Sequence, residues 1–218
     1  MWYLGFDCAT KTFAYSLSYI NLNLCSISQQ IRQDIQNNIN IEKWNTETKN
    51  FIQILEGETI DMYPDRPDSS ISTMDRINGT YKIVEKIKHN IAIRKINPND
   101  ITVAIEFQMG VNAKSRVISV ALATLFSSWR TIFIGPSLKN KISIGEFGKY
   151  CYFIEKTTNT YQANKAHAKY NFGLVEKLFT SNIPKSSSQT RGHIADSFMQ
   201  VLGFIQSGIT YEEALKMF

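Results

Sequence analysis

The chain has 218 residues, 43% of them hydrophobic and 20% charged, which supplies a packed core and excludes wholesale disorder. A formal charge of +5 and a sequence pI of about 9.0 fit a polyanionic partner without requiring one. Cys8, Cys25 and Cys151 fall at neither metal-finger nor disulfide-framework spacing, which points to a reducing, intracellular compartment. No apolar run approaches the ~20 residues of a membrane span, and the start, Met-Trp-Tyr-Leu-Gly-Phe-Asp, lacks a signal peptide's basic region and cleavage site.

In chain order, Trp2 to Asp7 reads as a strand and Phe13 to Ile20 as its hairpin partner. Residues 21–49, rich in Asn, Gln, Ile and Lys, read as an inserted loop carrying a helical piece. A third strand is expected over Phe51 to Met62, broken by Tyr63-Pro64-Asp65-Arg66-Pro67-Asp68. The apolar spacing of Ile71, Met74, Ile77, Tyr81, Val84 and Ile87 predicts a helix over Ser70 to Ile93. Ile101 to Phe107 suits a buried strand, Lys114 to Arg130 a helix, and Thr131 to Ile134 a strand closed by Gly135-Pro136. A basic loop over 137–149 and a further strand over Tyr150 to Glu155 follow, then a helix over Ala163 to Phe179. Residues 181–191 read as a linker, and His193 to Gln206 as the last strong helix. An antiparallel triplet followed by alternating helices and strands predicts one α/β domain over 1–218, with a mixed five-stranded sheet and helices on both faces.

Three carboxylates stand out because they sit in apolar surroundings: Asp7 and Glu106 at strand ends, and Asp196 inside Ile194-Ala195-Asp196-Ser197-Phe198. A carboxylate there is costly unless a metal, a basic partner or hydrogen bonds compensate its charge. His193 lies one helical turn before Asp196, so both side chains face one site. Taken singly, each has a plain alternative: a turn or helix cap, a solvated end, a surface histidine. Together, Asp7, Glu106, His193 and Asp196 form a candidate catalytic and metal-ligating set, whose oxygen ligands suit magnesium, with manganese as a substitute. Two such ions would activate a water and stabilise the leaving oxygen of a phosphodiester.

The order strand-Asp7, strand-Glu106, helix His193-x-x-Asp196 resembles RuvC-type Holliday junction resolvases, most closely those of large DNA viruses such as poxviruses. The matching pieces are Leu4-Gly5-Phe6-Asp7-Cys8-Ala9-Thr10-Lys11, Ala104-Ile105-Glu106-Phe107-Gln108 and His193-Ile194-Ala195-Asp196-Ser197-Phe198. Ile132-Phe133-Ile134-Gly135-Pro136-Ser137 and Asn164-Lys165-Ala166-His167-Ala168-Lys169 also look like family segments; the resemblance does not cover residues 21–49. The resemblance implies an RNase H-like fold, a homodimer, and magnesium-dependent paired nicks that divide a four-way DNA junction in recombination and repair. If the source is viral, it places the protein at the site of viral DNA replication in the host cell. Many relatives carry Asp where His193 stands, so this site has one negative charge fewer.

Candidate DNA contacts are Lys11 beside Asp7, Phe107 as a base-stacking surface, Lys114 and Arg116 after the Glu106 strand, and Lys165 and Lys169, four apart on one helix. Core packing for Phe107 and a solvated face for the lysines are the alternatives. Lys139, Lys141 and Lys149 crowd the basic loop and are further candidates for touching nucleic acid. Two other functions stand beside junction cleavage: hydrolysis of RNA–DNA hybrids, and junction binding without catalysis should the site have lost its metal. The helix with Val117, Ala121, Leu125 and Trp129 is a candidate for part of the dimer interface, with burial in its own core the equal alternative.

Overall fold

In the computed structural model, the residues described are 1–21, 52–107, 113–141, 160–178, 180–183, 188–208 and 211–215. The inserted loop and the strand expected over Tyr150 to Glu155 lie outside them.

Strands β1 (Trp2–Cys8), β2 (Thr12–Ile20) and β3 (Ile52–Asp61) form an antiparallel meander. β4 (Ile101–Glu106) and β5 (Arg130–Ile134) add in parallel on the other side of β1. A two-residue β6 (Thr180–Ser181) pairs parallel to β3, giving the order β5-β4-β1-β2-β3-β6. The mixed five-stranded sheet expected from sequence is present, extended by β6, whose Ser181 opens the stretch read as a linker. Two residues are too few to display a period-two pattern.

Helices α1 (Thr73–Ile93) and α2 (Ala113–Leu125) pack on one face; α3 (Thr160–Leu178) and α4 (Ser188–Gln206) pack on the other, with a short α5 (Tyr211–Leu215) against β5. Alternation along the strands divides the core. Leu4, Phe6, Phe13, Tyr15, Leu17, Val103 and Ile105 meet α1 and α2, whereas Tyr3, Ala14, Ala104, Ile132 and Ile134 meet α4. α1 begins at Thr73 because Ser72 and Asp75 form a reciprocal capping box. α2 ends at Leu125, short of the expected Arg130, which opens β5. α4 starts five residues before the expected His193, inside the stretch read as a linker, because Ser188-Gln189-Thr190-Arg191 is polar and shows no apolar pattern.

α4 is buried on nearly every side from Ile194 to Phe204, as a helix held between other elements must be. Its approach to β1 depends on Gly5, where an added Cβ would lie 2.3 Å from the Ser197 carbonyl oxygen. Gly5→Ala is therefore expected to lose about 3 kcal/mol of stability, the scale of overpacking a filled core, readable by chemical denaturation. No helix among the described residues is long and apolar enough to cross a membrane.

Candidate metal and nucleic-acid site

Two strands and one helix deliver the acidic residues. β1 and β4 run parallel with Phe6 opposite Ile105, so Asp7 and Glu106 are the next pair in register. Both continue the parity of Gly5 and Ala104 and emerge on the α4 face. The Ser119 hydroxyl of α2 donates to the Glu106 carbonyl at 2.9 Å, and the Phe107 amide donates to the Ile134 carbonyl at 3.0 Å, fixing the end of β4. Across from them, Arg191 pairs with Glu176 and ties the start of α4 to α3.

Asp7, His193 and Asp196 each offer a ligand atom within 4.8 Å of one another, an arrangement able to hold a metal ion. His193 Nδ1 lies 3.2 Å from Asp7 Oδ2, in hydrogen-bond contact. Glu106 joins them at the wall of a cleft of about 390 Å³, lined also by Ala9, Ser137, Lys139 and Lys165. Asp7, Glu106 and Asp196 are 9%, 2% and 2% exposed. The cleft thus gathers all of the acidic and histidine residues singled out from sequence.

The carboxyls divide the negative charge unequally. Burial opposes ionisation of Asp7, but hydrogen bonding from His193 and Glu106 and the nearby charge of Lys139 bring it down to about 2. Burial, reinforced by the Asp7 carboxylate, pushes Glu106 up to about 9, against the pull of Lys139 and Gln200. Burial, with Asp7 adding to it, also raises Asp196, against Lys139 and Lys165. In this arrangement Glu106 holds the proton of the pair and Asp7 carries the charge.

Lys139 and Gln200 complete the cluster. Lys139, in the short 3-10 helix Leu138–Lys141 after β5, sets its ammonium 3.3 Å from Asp196 and 4.0 Å from Glu106. From sequence it was a DNA-contact candidate, one of several lysines in a basic loop; Lys149, another, lies outside the described residues. Gln200 is fully buried one turn after Asp196 and adjoins Glu106 without a well-aligned hydrogen bond. Its one sequence signal was a lone amide within Phe198-Met199-Gln200-Val201-Leu202.

The candidate DNA contacts fall in different places. Lys165 lines the cleft, and Lys169 lies against Gly192, beside His193, with its side chain exposed. Lys11 turns away from the acids: its ammonium is held by Asp61 at 2.9 Å and by the carbonyls of Tyr63 and Arg66 at 3.1 and 3.0 Å. Lys114 pairs with Asp68 at 2.6 Å, and Asp68 also receives the buried Arg76. Arg116 is exposed, whereas Phe107 packs on Phe133 at 4.9 Å between ring centres. Both line an apolar groove between α1 and α2.

No family model matches the sequence, and no curated protein matches it. Similarity appears in three dimensions. Thermus thermophilus RuvC superposes with a TM-score of 0.50 at 12% identity, covering 95% of this chain and 97% of that one. The yeast mitochondrial Holliday junction resolvase Ydc2 gives 0.47 at 10% identity, over 99% and 80%. Fowlpox virus resolvase in complex with substrate Holliday junction DNA gives 0.42 at 15%, over 96% and 100%. The fold assignment rests on the first: the chain shares the RNase H-like fold of RuvC.

Proposed function

We propose that the chain is a divalent-metal-dependent endonuclease that hydrolyses phosphodiesters at four-way DNA junctions. The observation that carries this reading is the convergence of Asp7, Glu106, His193 and Asp196, from two strands and a helix, on one cleft. Its residue order matches that of the resolvases the sequence resembles.

The donor set suits a hard divalent cation. Glu106 Oε2 is buried without an aligned hydrogen-bond partner, and Asp196 Oδ1 meets only the Lys139 ammonium at 3.3 Å, so both carboxyls keep oxygen donors that a divalent cation would satisfy. Asp7, Asp196 and Glu106 would hold the metal, with His193 as a further ligand or as the group that orients Asp7. A bound divalent ion supplies Lewis-acid polarisation of the phosphate and an activated water. Magnesium is the expected ion, with manganese as a substitute. The acids are nearly buried in the cleft, and Lys165 at its wall attracts the phosphate backbone.

Because Glu106 holds a proton at neutral pH, metal binding must release it. Affinity for manganese is therefore expected to rise with pH, by roughly tenfold per unit, until the pH passes about 9. Calorimetry in two buffers of different ionisation heat counts the proton released.

Two symmetric cuts call for two sites, and a homodimer supplies them. The groove between α1 and α2 offers a seat for the second copy. Ile77, Tyr81 and Val120 expose apolar surface along it, and Val117, Ala121 and Leu125 from the helix singled out in the sequence also line it. Trp129, the fourth residue of that set, packs on Phe126 instead. Val120 is 52% exposed, so Val120→Glu has little folding cost and is expected to give a monomer in sedimentation. A dimer that persists would move the interface elsewhere.

Hydrolysis of RNA–DNA hybrids remains the alternative chemistry for this fold. A panel of four-way junction, linear duplex and RNA–DNA hybrid in magnesium separates the two readings. Selective cutting of the junction is expected, and preferential cutting of the hybrid would replace this reading with the other.

A further inference from the structure

We infer that Lys139 is the resident counter-ion of the metal-free site and the group that a divalent ion must displace on binding. This rests on the metal-nuclease reading and adds a competitor to it. Three carboxyl groups are nearly buried in one cleft, and Lys139, itself only 13% exposed, spans two of them at 3.3 and 4.0 Å. A buried carboxylate and a buried ammonium are each expensive alone and are retained because they offset each other. The same carboxylates are the oxygen donors a hard divalent ion requires.

An ion held by Asp196 and an ammonium 3.3 Å from that carboxylate repel each other, so the two cations compete. The backbone under Lys139 has little room to move. Leu138 is buried against α4, and its carbonyl oxygen would lie 2.6 Å from a Cβ at Gly203. The displacement must therefore fall on the four-carbon stem of Lys139, which swings its head away while the short helix stays seated. Metal loading is weakened by the cost of ejecting the lysine, and the empty site is spared the full cost of its unpaired acids.

The test compares wild type with Lys139→Met, which keeps the stem and removes the charge, and with Lys139→Arg, which keeps the charge. Manganese binding is measured by calorimetry on the full chain without DNA, and metal-free melting is recorded alongside. Lys139→Met is expected to bind manganese about tenfold more tightly or better, as removal of a unit charge a few ångströms away implies, and to melt at lower temperature without metal. Lys139→Arg should stay near wild type in affinity. Unchanged or weaker manganese binding by Lys139→Met, or equal tightening by both variants, would overturn the inference. A structure of wild type with manganese reads the same point without a variant: Lys139 Nζ should leave Glu106 and Asp196, and its retention beside both would refute displacement. Wild type that binds no manganese would overturn the metal reading as well, whereas binding by wild type with no gain in Lys139→Met would sink the competitor alone.

Discussion

Asp7→Asn is expected to abolish junction cleavage while leaving junction binding intact. Asp7 is the carboxyl of the cluster held most firmly as an anion, and it contacts both His193 and Glu106. The amide replaces it with almost no change of shape but cannot balance a cation. Loss of the ion's stabilisation of the phosphoryl charge is worth several kcal/mol, on the order of a thousandfold or more in rate. Single-turnover cleavage and a gel-shift titration on the same preparation separate chemistry from binding. Wild-type cleavage by Asp7→Asn would remove Asp7 from the machinery, and loss of binding along with cleavage would make its role structural.

The second large effect is expected in salt. A protein that follows the phosphate backbone through lysines releases counterions in proportion to the phosphates it neutralises. If six to ten phosphates are contacted, affinity falls by about 10³- to 10⁵-fold between 50 and 200 mM salt. Besides Lys139, which the acids themselves hold, Lys165 at the cleft wall and Lys169 beside Gly192 are the candidates that border the site. Replacing both with Ala should weaken binding and flatten the log–log slope by about two. An unchanged slope would assign both to a solvated face. Lys114 is a different case, since Asp68 already holds it at 2.6 Å. A phosphate must compete with that ion pair, so Lys114→Ala should change the slope less than Lys165→Ala.

Much of this site was legible because the chemistry leaves a mark in one dimension. Asp7, Glu106 and Asp196 each interrupt an apolar run, and an acid in such a setting needs compensation wherever the chain takes it. His193 followed from helical spacing alone. Lys139 was harder to place because its partners, Glu106 and Asp196, lie 33 and 57 positions away in the sequence, and a lysine in a basic loop looks like any other. Lys11 shows the converse. Its place four residues after Asp7 suggested the site, but the turn between β1 and β2 directs it to Asp61 and the loop after β3. Proximity in sequence says little about direction once a chain reverses. Phe107 was read as a choice between core packing and base stacking. It sits between the two, packed on Phe133 yet bordering the groove. The succession of the first five strands along the chain was legible from alternation and turn residues, whereas β6 and α5 were too short to carry a period.

The central claim is that this acidic cleft cuts branched DNA with a divalent ion. It is tested most directly by incubating the full chain with an end-labelled four-way junction, with and without magnesium. Paired nicks near the branch point, appearing with magnesium and absent with chelator, are the predicted result. Tight junction binding with no cleavage in magnesium or manganese would contradict it and would leave a junction-binding protein in its place.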